Sequence, residues 1–254
     1  MISYIRENTG AEKIDFMGAS QGAGQAMASI CEHPDMKNMF NTMILSCPAM
    51  FIQKEPKQFL LRMLMSVPLA SLFGSQEFFM LISVFQLLMP LTWLKGQMGY
   101  SFMKLMGFIK RPLGDKGSMK TRARWFQWIP VGCTSVRNLT HWMEVLKTGG
   151  ALTKLETNTP YKFEDMLKSW DEESKEGGHR PNVMVLLANE DCVIDNKTTK
   201  DVFERCYSNC EGTDRGECKV YEAVDYGHID FIWSEINSTK VIYDKVQKFL
   251  LSHN

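Results

Sequence analysis

A serine flanked by two glycines lies close to the beginning of the chain, in Gly18-Ala19-Ser20-Gln21-Gly22. The apolar residues 14–17 before it predict a strand, and the small residues after it predict a helix packed closely on a sheet. A serine at such a strand-to-helix corner stands exposed above the sheet, where its hydroxyl can act as a nucleophile. We expect both glycines to remove Cβ atoms that would collide with the neighbouring strand and helix. The alternative is a Gly/Ser turn that only shapes the backbone.

An acid and a base follow at the ends of two later predicted strands. The apolar residues 181–188 predict a buried parallel strand, and Asp191 and Asp195 come after it. Residues 219–224 predict the next strand, which leads to His228. The carboxyl ends of parallel strands meet at the edge of the sheet where α/β folds hold their active sites. The order serine, aspartate, histidine therefore predicts a nucleophile with its base and orienting acid.

Four separated motifs carry a resemblance to a known family. They are the corner around Ser20, the stretch Thr134-Ser135-Val136-Arg137-Asn138 with His141-Trp142, residues 189–195 (Asn-Glu-Asp-Cys-Val-Ile-Asp) and residues 227–233 (Gly-His-Ile-Asp-Phe-Ile-Trp). Together they resemble the acid lipase family of α/β-hydrolases, the gastric and lysosomal lipases, over nearly the whole chain. The resemblance implies an α/β fold, the C-terminal part of a doubly wound and mostly parallel hydrolase sheet with an inserted helical cap.

The resemblance also implies a role for each candidate residue. Ser20 is the nucleophile, Asp191 the orienting acid and His228 the general base, and the backbone N–H of Gln21 supports the oxyanion. Asp195 is the alternative acid. Asp191 is preferred to it because the family's acid is the first aspartate of this motif. The implied activity is that of a serine ester hydrolase. It would cleave long-chain acyl esters, such as triacylglycerol or sterol esters, through an acyl-enzyme.

The sequence departs from the family at two points. Ala19 stands where the family has a histidine, which changes the rim of the site. Only a short predicted helix, residues 2–8, precedes the nucleophile strand, whereas the family has several strands and a His-Gly-Leu loop that provides the second oxyanion donor. That strand would be an uncovered apolar edge. We therefore expect an upstream segment, or a protein partner that covers this edge, or a non-catalytic subunit that binds a protein or a lipid.

The chain is divided into three regions by the candidate residues that it carries and by its composition. Residues 1–52 carry the nucleophile and residues 125–254 carry the acid and the base, so both are predicted to form the hydrolase core. A second core strand is predicted at residues 41–47. By the resemblance, residues 53–124 form the cap or lid. Within them, residues 59–109 are apolar, aromatic and rich in methionine, and residues 111–124 are basic. Adaptable thioether side chains suit a surface that accepts irregular acyl chains.

The cap is expected to contact a lipid or membrane surface, with ordinary helical core as one alternative. A membrane span is a second alternative. The apolar residues 78–94 argue against it, because they include a glutamine and a proline and fall short of the roughly 20 residues that a spanning helix needs.

Charge and cysteine content restrict the kinds of partner, metal site and disulfide that the sequence predicts. Lys and Arg number 29 and Asp and Glu number 29, so the formal charge is zero and gives no reason to expect a nucleic-acid partner. No histidine pairs with cysteine at a zinc-site spacing, and we predict neither a metal nor a cofactor. The seven cysteines are an odd number, although Cys206, Cys210 and Cys218 lie close enough in sequence for one disulfide. The compartment stays open, secretory or lysosomal by resemblance, with no signal peptide at Met1.

A polar segment that contains two glycines precedes the third predicted strand. Residues 173–180 have the composition of a surface loop. His179 is expected to be solvated in that loop. His141 is expected to serve packing rather than catalysis.

Overall fold

The computed structural model describes residues 1–54, 66, 77–78, 92–110, 134–207, 216–233 and 236–253. The helices are α1 (Ile2–Thr9), α2 (Gln21–Glu32), α3 (Thr92–Leu105), α4 (Val136–Thr148), α5 (Phe163–Lys175), α6 (Asn196–Tyr207), α7 (Asp230–Trp233) and α8 (Ile236–Leu251), with a 3₁₀ helix at Pro34–Met39. The strands are β1 (Ile14–Ala19), β2 (Phe40–Ser46), β3 (Phe51–Ile52), β4 (Glu77–Phe78), β5 (Thr134–Ser135), β6 (Gly150–Ala151), β7 (Asn182–Ala188) and β8 (Cys218–Ala223).

Four of these strands form the main sheet, in the order β1-β2-β7-β8. All three pairings are parallel, with Met17 opposite Ile44 and Ile44 opposite Met184. Each strand matches one of the four predicted strands to within two residues at either end. The parallel sheet flanked by helices confirms the predicted α/β fold class. The short strands β3 to β6 pair antiparallel outside this sheet and were not predicted.

The two central strands are buried on both faces of the sheet. Residues 43–45 of β2 are fully buried, and successive side chains of a strand point to opposite faces. Helix α5 contributes to this core through Phe163, Met166, Leu167 and Trp170, a spacing that puts one apolar stripe on the helix. Because both faces are buried, the carboxyl ends of β2 and β7 are held in place at the edge of the sheet where the candidate site lies.

Strand β1 forms one end of the sheet and is only partly covered. Its side chains alternate between half-buried and exposed positions, and Met17 is 58 % exposed. Helix α1, which precedes it, contains no buried residue and exposes Tyr4 and Ile5. Among the described residues, β1 pairs with β2 alone, so its outer edge offers unpaired backbone groups.

The prediction of a surface loop at residues 173–180 is wrong at both ends of that segment. Helix α5 continues to Lys175, since Ser174 still lies on its buried stripe. Arg180 is almost fully buried, where it pairs with Asp171. His179 is half-buried rather than solvated, and its Nε2 lies 2.7 Å from the carbonyl oxygen of Phe40. The hydrophobicity of a segment does not reveal burial of this kind, because the polar groups are satisfied by partners distant in sequence.

Most of the predicted cap, residues 53–124, lies outside the described residues, apart from β4, helix α3 and a few neighbouring positions. No helix in the described ranges combines the length and the hydropathy needed to cross a bilayer. The predicted disulfide finds no support in the described part of the chain. Cys206 and Cys218 are free thiols there, and Cys210 lies outside it.

Candidate functional site

Ser20 occupies a strained corner between β1 and α2. Its φ of 50° and ψ of −121° lie outside the regions that L-residues prefer, at a cost of roughly 1–3 kcal/mol. Three backbone hydrogen bonds hold it there. Its N–H donates to Ser46 O (2.8 Å), and its carbonyl accepts from Gly24 N (3.0 Å) and Ala49 N (3.1 Å). The serine side chain is therefore directed away from the strand at the carboxyl edge of the sheet.

The two glycines of the corner differ in what a side chain would meet. A Cβ on Gly18 would lie 2.7 Å from the Phe16 ring and 3.0 Å from Ala23 N, so a side chain there would crowd β1 and α2, as predicted. A Cβ on Gly22 would meet nothing within 4 Å among the described residues, and the predicted collision there is wrong. The close approach falls instead on Gly24, whose Cβ would lie 2.6 Å from Ala49 O.

Replacing Gly24 with alanine is expected to lower the free energy of unfolding by about 1–3 kcal/mol, because the methyl group must displace backbone atoms. Gly22→Ala is the matched control. It is expected to be neutral or to stabilise by up to about 1 kcal/mol, since alanine favours the helix. Urea unfolding of both variants measures the difference. Equal destabilisation by the two changes would contradict this account of the corner.

The structure brings three predicted residues into one hydrogen-bonded line. Ser20 Oγ lies 2.6 Å from His228 Nε2, and His228 Nδ1 lies 2.7 Å from Asp191 Oδ2. The serine follows β1, the aspartate follows β7 and the histidine follows β8, so parallel strand ends deliver all three. The side chains of His228 and Asp191 are 3 % and 0 % exposed, respectively. Such burial shields the Asp191–His228 hydrogen bond from competing water, whereas the Ser20–His228 hydrogen bond is only partly buried.

The Asp191 carboxylate is held in its charged form. Its Oδ1 accepts hydrogen bonds from Val193 N (2.7 Å) and Ile194 N (2.9 Å). Burial by itself raises the pKa of Asp191, but the His228 imidazole and the two backbone donors outweigh it and lower the pKa below its ordinary value. An ionised carboxylate beside Nδ1 can hold the imidazole with its other nitrogen facing Ser20.

Asp195 and Gln21 have different surroundings. Asp195 immediately precedes helix α6, where its Oδ1 accepts from Thr198 N (3.0 Å) and its Oδ2 accepts from the Thr198 hydroxyl (2.8 Å). Its carboxylate thus caps a helix, and His228 is hydrogen bonded to Asp191 instead. Gln21 is the first residue of α2, so no carbonyl four positions earlier in the helix receives its N–H. That N–H lies next to Ser20, the place where an oxyanion donor is needed.

Three residues at the site were not predicted. Cys47 follows β2, has a φ of 43°, and its thiol lies within 4.8 Å of the ligand atoms of Asp191 and His228. Its place at a strand end could have revealed it. The Phe108 ring packs edge-on against the His228 ring, with 5.6 Å between the ring centroids. Asp230 is buried beneath the loop that carries His228. No sequence pattern connects residue 108 with residue 228.

Neither cysteine beside Asp191 is a nucleophile. Burial, and next the Asp191 charge, raises the pKa of the Cys47 thiol well above its usual range, and the thiol hydrogen bonds to that carboxylate. The same two causes raise the pKa of Cys192 to about 12. Both thiols therefore stay protonated, and Cys192 is buried as a small apolar group. A cation bound by Cys47, Asp191 and His228 would have to break the Asp191–His228 hydrogen bond.

Comparison with solved structures identifies the fold. A monoacylglycerol lipase from Paleococcus ferrophilus aligns with 100 % of this chain and 73 % of its own, at a TM-score of 0.50 and 15 % identity. A soluble variant of monoglyceride lipase from Saccharomyces cerevisiae aligns with 100 % of this chain and 65 % of its own, at a TM-score of 0.51 and 14 % identity. The chain has the α/β-hydrolase fold. No family model matches it.

Sequence comparison adds a likeness to lipases. A probable lipase of Schizosaccharomyces pombe is 20 % identical over 244 residues, which cover 95 % of this chain and 48 % of that protein. A second probable lipase of the same yeast is 42 % identical over 48 residues, which cover 19 % of this chain and 11 % of that protein. The chain thus spans about half the length of the relative that it matches most extensively.

Proposed function

We propose that this α/β-hydrolase chain is the catalytic part of a serine ester hydrolase of the acid lipase family. The observation that carries the proposal is the hydrogen-bonded line from Ser20 Oγ through the His228 imidazole to Asp191 Oδ2, with distances of 2.6 and 2.7 Å. Nucleophile, base and orienting acid in this order are the groups that acyl transfer requires. The likeness in sequence to probable lipases supports an ester as the substrate.

Acylation begins with the Ser20 hydroxyl. Its oxygen attacks the ester carbonyl carbon while His228 Nε2 takes the hydroxyl proton, and the charge on the imidazolium is stabilised by Asp191. The Gln21 N–H donates to the negative oxygen of the tetrahedral intermediate. The imidazolium then returns its proton to the leaving alkoxide, which departs as the alcohol and leaves an acyl group on Ser20.

Deacylation uses the same groups in the same order. His228 takes a proton from water, the hydroxide oxygen attacks the acyl carbon, and Ser20 leaves with the proton that the imidazolium returns. The products are a carboxylic acid and free enzyme. A second oxyanion donor is proposed to come from a segment beyond β1, on the side of the sheet that the described residues leave open.

The proposed substrates are long-chain acyl esters, such as triacylglycerols or sterol esters. This finer assignment rests on the acid lipase motifs and on the apolar, methionine-rich composition of residues 59–109. These lie within residues 53–124, which are proposed to be the cap that contacts lipid. Residues 1–52 and 125–254 are proposed to be the hydrolase core on which that cap is inserted.

A fluorophosphonate probe tests the proposed activity, since it phosphonylates an activated serine without needing the natural substrate. We expect the purified chain to be labelled at Ser20, as located by peptide mass, and Ser20→Ala and His228→Ala to abolish that labelling. His33→Ala, which removes an exposed histidine at the end of α2, is the control and should label normally. Absence of label on folded, unaltered protein would overturn the proposal that this chain is catalytic by itself.

A non-catalytic subunit is the second candidate, and one observation favours it. Among the described residues the outer edge of β1 has no partner strand, and Met17 on this strand is 58 % exposed, which suits a partner protein that adds a strand to the sheet. In that case the chain would bind a protein or a lipid without turnover. A folded chain that binds a partner along β1 and leaves Ser20 unlabelled, with and without the partner, would support this function instead.

A further inference from the structure

A second buried carboxylate lies beneath the loop that carries His228. Asp230 is fully buried, and its Oδ2 accepts hydrogen bonds from Gly227 N (2.7 Å) and Lys110 N (2.9 Å). These two donors are more than a hundred residues apart in the chain. A buried charge is costly unless it is paired or hydrogen bonded, and bonds to a charged acceptor are stronger than neutral ones. Asp230 therefore joins two distant segments at one oxygen atom.

The two joined segments also contact each other directly. We call residues 106–110, which follow α3, the post-α3 segment, and residues 224–229 the His228 loop. Ile229 N donates to Phe108 O (3.1 Å). A Cβ on Gly227 would lie 2.8 Å from Phe108 O and 3.1 Å from Lys110 N, so the approach needs a glycine. The backbones are thus in contact on both sides of His228.

This contact fixes what touches the imidazole. The Phe108 ring meets the His228 ring edge-on, with centroids 5.6 Å apart and planes at 69°. The imidazole has Asp191 at Nδ1, Ser20 at Nε2 and the Phe108 ring against its side. Ile229 N donates to the Phe108 carbonyl and Asp230 accepts from Lys110 N two residues further on, so both bonds restrain the backbone that carries the Phe108 ring.

We propose that Asp230 is a positioning residue of the catalytic site, whose buried carboxylate ties the post-α3 segment to the His228 loop and so fixes the imidazole between Phe108 and Asp191. Asp230 touches no reacting atom and acts through Gly227, Lys110 and Phe108. The inference rests on the proposed function, since it concerns the geometry of the proposed general base. The post-α3 segment belongs to the region proposed as the cap, so Asp230 also connects that region to the base.

A double-mutant cycle on the rate of fluorophosphonate labelling tests the proposal. Asp230→Asn keeps one acceptor oxygen without the charge and is expected to slow labelling about tenfold, the effect of weakening these hydrogen bonds. Asp230→Leu removes the acceptor and should slow it further. Phe108→Leu should also slow labelling, but adding it to Asp230→Leu should change little more, because both act through one contact. Asp165→Asn, on the exposed first turn of α5, is the control and should label normally.

Independent effects would overturn the proposal. If the losses from Asp230→Leu and Phe108→Leu multiply, or if the Asp230 variants label as fast as the unaltered chain, Asp230 does not act through Phe108. A purely structural role would make the losses follow the unfolded fraction, which circular dichroism measures in the same samples.

Hydrogen exchange separates failure of this inference from failure of the proposed function. The amides of Gly227 and Lys110 should exchange faster in Asp230→Leu, with α5 and α6 unchanged, whether or not the probe reacts. Unaltered protein that is never labelled would overturn the proposed function and with it the catalytic role of Asp230. Unchanged exchange at both amides would show that Asp230 does not hold the post-α3 segment against the His228 loop.

Discussion

Replacing Asp191 with asparagine is expected to lower ester turnover about 10⁴-fold, the effect of the same change at the acid of a Ser–His–Asp triad. The asparagine fits the space and can still accept from Val193 N and Ile194 N. Its amide would then donate towards His228 Nδ1, which favours the tautomer with the proton on Nε2. That tautomer cannot take the proton of Ser20. Hydrolysis of a p-nitrophenyl ester, with the rate of fluorophosphonate labelling, measures the loss.

Asp195→Asn is the matched control for this prediction. It is the same chemical change four residues away, at the aspartate that caps α6. Asparagine caps helices about as well as aspartate, so neither turnover nor unfolding should change much. A large loss with Asp195→Asn, together with an active Asp191→Asn variant, would transfer the role of the acid to Asp195.

Replacing Arg180 with methionine is expected to lower the free energy of unfolding by about 2–4 kcal/mol, because the carbonyl oxygens of Cys206 and Gly216 lose their charged donor inside the fold. The Arg180 side chain is fully buried. One of its nitrogens donates to Asp171 Oδ1 (3.0 Å) and Cys206 O (3.2 Å), and the other donates to Gly216 O (3.2 Å). The guanidinium also lies 4.1 Å from the centroid of the Tyr207 ring. The variant therefore leaves several acceptors without their donor, and thermal or urea unfolding measures the loss.

Lys175→Met is the control for Arg180→Met. Lys175 pairs with the same aspartate, Asp171, at 2.7 Å, but its side chain is 51 % exposed. An exposed ion pair contributes less than about 1 kcal/mol, so this variant should unfold almost like the unaltered chain. Similar losses from the two changes would show that burial of the guanidinium is not what stabilises this part of the fold.

The main sheet could be predicted from sequence because buried parallel strands are recognisable as continuous apolar runs. β2 and β7 are such runs, and their bounds agree with prediction to within one residue. The two-residue strands β3 to β6 are too short to show any periodicity. The burial of Arg180, at the end of the segment predicted as a surface loop, depends on Asp171 and on residues beyond 200, which a local pattern does not contain.

The candidate site was predictable where each residue follows a strand. Ser20, Asp191 and His228 were found in this way, although the preference for Asp191 over Asp195 came from the family resemblance. Their catalytic roles stay predictions until the variants are tested. Phe108 could not be found, because it reaches His228 through a backbone contact between the post-α3 segment and the His228 loop. Gly22 was misjudged, since a motif does not state which of its glycines the neighbouring backbone actually approaches.

The pairing of β2 with β7 also bears on how the region above the site can change. These neighbouring strands are joined by residues 47–181. The proposed cap therefore lies within a very long connection between two paired strands of the sheet. The entropy of closing such a loop rises only by about 0.6 kcal/mol for each doubling of its length. Insertions and deletions there would cost the sheet little. Substrate range could therefore diversify by changes in the length of this region while the three strand ends beneath it keep their spacing.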